Sequence, residues 1–338
     1  MVGMEQLELS VVIAIYNADK YLRACLESVR ACPAENMECI LVNDGSSDGT
    51  KNICEEFVQA DRRFCLINKG NTGVSDSRNK GADKARGRYI FFVDADDYLD
   101  ASQWAMLLED ARNGRYDMVA YGYYTLYASG ETEENGFPIQ GEKSDSFETV
   151  RRVLLTTPLL NTCWGKLLKR EIIEKNRVCF REELKTGEDA IFMIDFVETA
   201  STFLLRNRCV LYYRQHQSSA MRRMNIDEKL EDFSELFIRR NAYWELASDK
   251  ALWVDMYRQF FSVITDLFLQ YASRNTFGKT KEAFKDTMEK QMVKDILAQT
   301  EYNSLSPVYK KLEYSMLRRG WLAAAAFYFT LKTKLNRR

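Results

Sequence analysis

The first 121 residues alternate short apolar runs with segments in which apolar residues recur at helical spacing. The runs are rich in β-branched and aromatic residues, which favour strands. Between the first two runs, residues 21–29 place apolar side chains on one helical face, and Asn17 precedes them as a candidate N-cap. Alternation of this kind predicts βαβ units and a mostly parallel sheet. The predicted strands are 9–15, 38–43, 64–67, 89–93 and 117–121.

The pattern changes after the fifth predicted strand. Residues 122–145 are rich in Tyr, Gly, Ser and Glu, which predicts a hairpin or a mobile loop. Residues 147–214 mix short helices and strands, whereas from Asp227 onward the apolar positions are almost wholly helical in spacing. We therefore expect an α/β domain over residues 1–220 and a helical subdomain over residues 221–338.

The composition is that of a folded protein. Hydrophobic residues make up 46% of the 338 residues and the formal net charge is -1, which argues against disorder and against a nucleic-acid partner. The eight cysteines form no C-x-x-C pair, and His216 is the only histidine, so a zinc site is not expected and reduced thiols are. The N-terminal sequence lacks the pattern of a secretion signal, and we expect a cytoplasmic protein.

Acidic residues follow two of the predicted strands. Asp44 and Asp48 lie after the second strand, and the sequence Asp94-Ala95-Asp96-Asp97 follows the fourth. In parallel sheets the carboxyl ends of such strands meet at one edge, where ligands bind. Two carboxylates separated by one residue can hold Mg²⁺ or Mn²⁺, which usually completes its shell with substrate phosphates. The alternative is that these are turn residues and that Asp97 caps a helix.

Phosphate-binding motifs of other enzyme classes do not occur. The sequence has no G-x-x-x-x-G-K-[ST] loop, and no G-x-G-x-x-G follows the first strand, which disfavours nucleotide kinases and dinucleotide oxidoreductases. In residues 69–79 the glycines allow close backbone approach, and a helix is predicted to start near Val74. Arg78 on that helix would face a phosphate or a nucleotide edge, unless it lies on the solvent side as most arginines do.

Three segments occur in an order that resembles one known family. They are SVVIAIYN at 10–17, VNDGSSDGT at 42–50, and NTGVSDSRNKGADKARGRYIFFVDADD at 71–97. Together they resemble the family 2 glycosyltransferases, strongly over the first third of the chain and more weakly to about residue 220. The resemblance implies the GT-A fold, a Rossmann-like α/β domain with a mostly parallel central sheet, here followed by a helical C-terminal subdomain. Ala14 stands where the family usually has Pro, which would alter only local stiffness.

The resemblance also implies a donor site for a nucleoside diphosphate sugar. Asp44 would contact the base or ribose, Asp48 would support that loop, and residues 15–17 would line the base pocket. Asp96 would ligate Mn²⁺ or Mg²⁺, with Asp94 nearby. The nucleotide-sugar contacts so implied are Ile15, Tyr16, Asn17, Asp44, Asp48, Arg78, Asp94, Ala95 and Asp96.

Members of this family invert the anomeric configuration, which implies one displacement and one general base. The segment KTGEDAIF at 185–192 is similar to the family's Glu-Asp motif, and it makes Asp189 the base, with Glu188 as the nearest competitor. The two acids could instead simply begin a helix, where they suit the helix dipole. The two interpretations are compatible.

Two further segments resemble substrate-facing parts of the family. NTCWGKL at 161–167 resembles the acceptor-facing segment, so Trp164 would stack on a sugar, although a core position fits a Trp equally well. His216 matches a position where relatives direct a His or Arg at the diphosphate or its metal. A surface or core histidine is the alternative.

The function predicted from the sequence is transfer of a sugar, with inversion, to a hydroxyl of a glycan or polyprenyl-linked acceptor. The expected donor is a UDP-sugar. A non-catalytic nucleotide-sugar-binding scaffold is the alternative. A glycoside hydrolase would leave the loop around Asp44 unexplained. Residues 310–338 combine a basic excess with an apolar stretch at 321–331 that is too short to span a bilayer. They would lie on the inner face of the cell membrane, pack on the domain, or join a homo-oligomer.

Overall fold

The computed structural model describes residues 7–215, 226–245 and 250–335. Tertiary contacts divide the chain into two units, one of residues 1–154 with 158–222 and one of residues 155–157 with 223–338. The predicted α/β class, with a mostly parallel central sheet and a helical C-terminal region, is confirmed.

The first unit is built on a sheet of ten strands in the order β3-β2-β1-β4-β9-β6-β10-β5, with β7 paired to β6 and β8 to β10. The pairs β1–β2, β2–β3, β1–β4 and β6–β10 are parallel. The strands are β1 Leu9–Ile15, β2 Met37–Asp44, β3 Phe64–Lys69, β4 Tyr89–Asp94, β5 Tyr98–Leu99, β6 Met118–Leu126, β7 Thr132–Asn135, β8 Lys143–Ser144, β9 Lys166–Lys169 and β10 Phe203–Arg214.

Seven helices accompany these strands in the described part of the chain up to residue 215. They are α1 Asp19–Arg30, α2 Thr50–Ala60, α3 Val74–Lys84, α4 Trp104–Asn113, α5 Phe147–Thr156, α6 Arg170–Asn176 and α7 Glu188–Thr199.

Helix α1 buries Leu22, Cys25, Leu26 and Val29, the apolar face that the sequence predicts. The helix begins at Asp19 after Ala18, so the prediction of Asn17 as its N-cap is wrong. The Asn17 side chain accepts a hydrogen bond from the backbone of Ser47 instead.

A glycine sets the position of α3 on the sheet. A Cβ atom at Gly81 would lie 2.3 Å from Cγ1 of Val12 in β1, so only a residue without a side chain allows this approach. Arg78 precedes Gly81 by three residues and therefore projects from a neighbouring position on the helix. Close packing of α3 thus carries Arg78 to the carboxyl edge of β1 and β4.

The second unit is helical in the residues that the structure describes. Its helices are α8 Ile226–Glu245, α9 Lys250–Arg274, α10 Phe277–Glu289, α11 Gln291–Gln299, α12 Val308–Arg318 and α13 Leu322–Leu335. An aromatic core joins three of them, because the ring of Phe284 stacks on Phe268 at 3.9 Å and meets Phe329 edge-on at 5.5 Å. None of the helices in the described ranges combines the length and apolar content needed to cross a bilayer.

Candidate active site

Three carboxylates meet at the carboxyl end of β4. Asp94 ends the strand, Asp96 and Asp97 follow in the turn, and one oxygen of each lies within 4.8 Å of the others. Burial raises the pKa of Asp94 and of Asp97, and repulsion from the neighbouring carboxylates raises both pKa values further. A divalent cation would remove that repulsion, and carboxylate oxygens are the donors that Mg²⁺ and Mn²⁺ prefer.

Asp97 is the most deeply buried of the three carboxylates. Its Oδ1 accepts a hydrogen bond of 2.8 Å from the backbone N–H of Arg214 at the end of β10. Its Oδ2 has no hydrogen-bond partner among the residues that the structure describes. Asp97 is therefore not the helix cap that the alternative interpretation proposed, since Asp100 caps the following turn by accepting from the N–H of Ser102.

Arg78 connects this acidic turn to the start of α7. Its Nη2 donates to Oδ1 of Asp94 at 2.9 Å, and its Nη1 donates to Glu188 at 3.0 Å and to Asp189 at 2.6 Å. The guanidinium is buried, and burial alone would lower its pKa, but the three carboxylates keep the pKa of Arg78 well above its ordinary value. The sequence predicted that Arg78 faces a nucleotide, and it did not predict this role as a bridge between acids.

The two acids at the start of α7 differ in their surroundings. Asp189 is held on two sides, by Arg78 and by the backbone N–H of Cys163, which donates to Oδ2 at 3.2 Å. Burial, followed by repulsion from Asp189, raises the pKa of Glu188 to about 7. One acid is thus fixed in orientation, whereas the other has a pKa suited to proton transfer near neutral pH.

Lys166 is a buried cation that the motifs did not identify. Its Nζ donates to the carbonyl oxygen of Trp164 at 3.0 Å and to Oγ1 of Thr162 at 3.1 Å. Burial lowers the pKa of Lys166 to about 8. These bonds fix the loop from which Cys163 donates to Asp189. The available signal was a lysine that begins a buried strand, since such a charge needs partners.

Trp164 lies inside the first unit with 6% of its surface exposed. Its ring stacks on Tyr213 at 5.6 Å and receives the edge of Tyr123 at 4.9 Å. This packing favours the core alternative, and the acceptor contact stays a prediction. The predicted diphosphate or metal contact of His216 falls outside the described residues.

The loop after β2 is joined to the glycine-containing loop before α3. The buried carboxylate of Asp44 accepts from the N–H groups of Thr72 and Gly73 at 2.8 and 2.9 Å and pairs with Lys69. Lys69 also pairs with Asp76 at 2.8 Å. In this structure Asp44 organises the loop that precedes α3, and any contact with a base or ribose stays a prediction.

The opening loop is joined to the other end of the same turn. The N–H of Asn17, which has a positive φ of 46°, donates to Oγ of Ser46 at 3.0 Å. Asp48 accepts from the N–H groups of Asp19 at 3.2 Å and Thr50 at 3.0 Å. Burial alone would raise the pKa of Asp48, but these hydrogen bonds hold the pKa below its ordinary value.

The remaining members of the predicted donor site lie in the same region. Tyr16 is exposed beside the joined loops, whereas Ile15 is buried at the end of β1 and Ala95 is buried between the two metal candidates. The structure therefore places the predicted nucleotide residues on the joined loops 15–17 and 43–50 and the predicted metal residues at the end of β4.

Comparison with known proteins places these features in a family. Residues 10–177 match the model of glycosyl transferase family 2. The chain is 33% identical over 227 residues to the glycosyltransferase EpsH of Bacillus subtilis, a match that covers 65% of this chain and 64% of EpsH. It is 28% identical over 216 residues to the uncharacterized glycosyltransferase EpsJ of the same organism, with 62% of each chain covered. The chain thus spans less than two thirds of either relative.

Solved structures share the fold. The Staphylococcus aureus TarS fragment 1–349 in complex with UDP aligns over 97% of this chain and 91% of its own, with a TM-score of 0.69 and 15% identity. The mannosyltransferase PcManGT from Pyrobaculum calidifontis in complex with GDP-Man and Mn²⁺ covers 97% of this chain and 88% of its own, with a TM-score of 0.53 and 13% identity.

Proposed function

The chain belongs to glycosyl transferase family 2, and we propose that it is an inverting glycosyltransferase. Its donor would be a nucleoside diphosphate sugar, and its acceptor a hydroxyl of a glycan or of a lipid-linked glycan. The observation that carries the proposal is the Arg78 bridge, which joins a metal-binding candidate, Asp94, to the candidate bases Glu188 and Asp189. Donor activation and proton removal would thus occur at adjacent positions of one site.

Asp94 and Asp96 would hold Mg²⁺ or Mn²⁺, with Asp97 beside them. The clustered oxygen donors fit such an ion, and the buried Oδ2 of Asp97, which has no hydrogen-bond partner in the described residues, supports a further ligand in the cluster. When bound, the cation would offset the negative charge that grows on the departing diphosphate. A TarS structure holds UDP-GlcNAc and the PcManGT structure holds Mn²⁺, which supports a UDP-sugar and a divalent ion here as well.

Inversion requires a carboxylate on the acceptor side. Asp189 would take the proton from the acceptor hydroxyl. The oxygen of that hydroxyl would bond to the anomeric carbon as the bond from this carbon to the diphosphate breaks. The contacts with Arg78 and Cys163 support this choice because they fix the carboxylate in one orientation. Glu188 is the alternative base, because its raised pKa of about 7 suits proton transfer near neutral pH.

The proposal is tested by release of the nucleoside diphosphate. Full-length protein is incubated with UDP-, GDP- and dTDP-sugars and a panel of glycan acceptors, with Mn²⁺, Mg²⁺ or a chelator. We expect release that depends on both acceptor and cation, and its loss in Asp189→Asn but not in Glu171→Gln, an exposed acid on α6. Tight donor binding without release under any condition would support the scaffold instead.

We propose three further features of location and assembly. They are a cytoplasmic location at the inner face of the cell membrane, peripheral membrane contact through the C-terminal helices, and a homo-oligomer. We also propose that the helical residues 221–338 take part in recognition of the acceptor.

A further inference from the structure

Helices α12 and α13 expose large apolar side chains. Val308 is 81% exposed, Phe327 63% and Trp321 54%, and Leu312 and Leu331 are about half exposed. Monomeric soluble proteins rarely expose many such side chains close together. We use the name tail surface for seven of the exposed side chains of α12, α13 and the turn between them, namely Val308, Leu312, Arg318, Arg319, Trp321, Phe327 and Leu331.

These helices are packed on their other side, so the exposure does not come from an undocked segment. In α13, Ala325, Ala326 and Phe329 are fully buried, and Phe329 joins the aromatic core of the second unit. Helix α13 therefore has an apolar inner face that is packed and an apolar outer face that no other part of the described ranges covers. A helix that is apolar all round needs an apolar environment on both sides.

In this region the carboxylate is buried and the arginines are exposed. From residue 302 to residue 338 the sequence has a single acid, Glu313, and its side chain is fully buried. Glu313 accepts from Lys332 at 2.8 Å and lies 3.5 Å from Nζ of Lys310. The one carboxylate thus pairs internally with two lysines, while Arg318 and Arg319 stay exposed at the turn.

The exposed side chains of α12 and α13 in the described residues are therefore cationic or apolar, and the exposed acid that contacts them, Asp266 of α9, pairs with Lys310 at 3.2 Å. The guanidinium of Arg319 lies 5.1 Å from the ring of Trp321, so a positive charge and an amphipathic ring occupy the same site. Tryptophan favours the boundary between hydrocarbon and water, and basic residues favour anionic headgroups.

We propose that the tail surface binds an anionic lipid bilayer, with α12 and α13 lying along the headgroup region without crossing it. This assigns the peripheral membrane contact proposed above to particular side chains and to anionic lipid, and it does not depend on the proposed sugar transfer. A symmetric dimer through the same surface is disfavoured, because it would bury Arg318 and Arg319 of both copies while the tail surface offers no carboxylate to pair with them.

Substitutions test this better than removal of the tail. A chain ending near Ser306 would lose Phe329 and Glu313 and would open the core of the second unit. We use two double variants. The apolar variant carries both Trp321→Ser and Phe327→Ser, and the double-arginine variant carries both Arg318→Gln and Arg319→Gln. The matched controls are Ile238→Ser, an exposed apolar residue on α8, and Lys279→Gln with Lys281→Gln on α10.

The assay is co-sedimentation of the full-length protein with vesicles of phosphatidylcholine alone or mixed with phosphatidylglycerol. We expect binding to the mixed vesicles at low salt, weaker binding at high salt, and a partition coefficient about 30-fold lower in the double-arginine variant, from about 1 kcal/mol for each cation. The apolar variant should bind less at every salt concentration, and the controls should bind like the wild type. Unchanged thermal melting and UDP binding would show that both variants are folded.

Three results would overturn the proposal. They are failure of the wild type to sediment with anionic vesicles at low salt, equal binding to both vesicle types, and a wild-type dimer in sedimentation velocity that Phe327→Ser dissociates. The last result would assign the tail surface to a second copy of the chain.

Discussion

Replacement of Arg78 by methionine should destabilise the first unit strongly. The guanidinium is buried and makes three short contacts to carboxylates, at 2.9 Å to Asp94, 3.0 Å to Glu188 and 2.6 Å to Asp189. Methionine has a similar length but no charge, so it leaves acids without compensation in a site shielded from water. Loss of one partner of a buried ion pair costs about 3–5 kcal/mol of unfolding free energy.

The dependence on pH distinguishes this cause from simple loss of packing. Without Arg78, protonation of the neighbouring carboxylates relieves the repulsion, so the deficit should shrink as the pH falls below the raised pKa of Glu188, about 7 in the wild type. A packing defect would not change in this way. Arg78→Lys should recover part of the stability, because it keeps a charge but cannot contact all three acids.

Urea unfolding at several pH values measures the effect, with loss of the first unit followed separately from loss of the helical unit. Arg23→Met is the control, since Arg23 and its partner Glu56 are both exposed, and it should leave stability nearly unchanged. A deficit in Arg78→Met below about 1 kcal/mol, or one that is constant with pH, would refute the electrostatic role of Arg78.

Three further predictions concern the residues around this bridge. The pKa of Glu188 in the folded protein exceeds that of an unfolded glutamate, so the free energy of unfolding falls as the pH rises from 4.5 to about 7. Glu188→Gln should remove this pH dependence, which is on the order of 3 kcal/mol, in thermal melting at a series of pH values. Asp189→Asn should lower turnover by about 100-fold or more in steady-state kinetics with donor affinity nearly unchanged; full activity would transfer the role of base to Glu188. Lys166→Met should lower turnover more than donor affinity, because it releases the loop that holds Asp189, whereas an equal loss of both would indicate only a folding defect.

The central sheet could be predicted because its information is local. Strands β1, β2 and β4 are mostly apolar and are buried along almost their whole length, a pattern typical of a central parallel sheet. Strand β9 was not predicted as a separate element. It has four residues, and it lies between β4 and β6 only because tertiary contacts place it there.

The candidate site shows the same division between local and distant information. The acids at 94–97 follow a clear strand, so their common location could be inferred from the sequence. Arg78 and Asp189 are separated by 111 residues, and their contact depends on how closely α3 and α7 approach the sheet edge. The N-cap at Asn17 was predicted from residue type, but the side chain instead bonds the neighbouring loop at Ser47. Such choices depend on geometry that the sequence pattern does not contain.

Calorimetric titration with UDP tests the central claim most directly. The wild type should bind UDP in the presence of Mn²⁺ and much more weakly with a chelator, because the diphosphate and the carboxylates of Asp94 and Asp96 would otherwise repel one another. Asp96→Ala should abolish the metal-dependent part of the affinity, and Glu171→Gln should bind like the wild type. Equal UDP affinity in Asp96→Ala and the wild type, measured in Mn²⁺, would contradict the assignment of this turn as the metal and donor site.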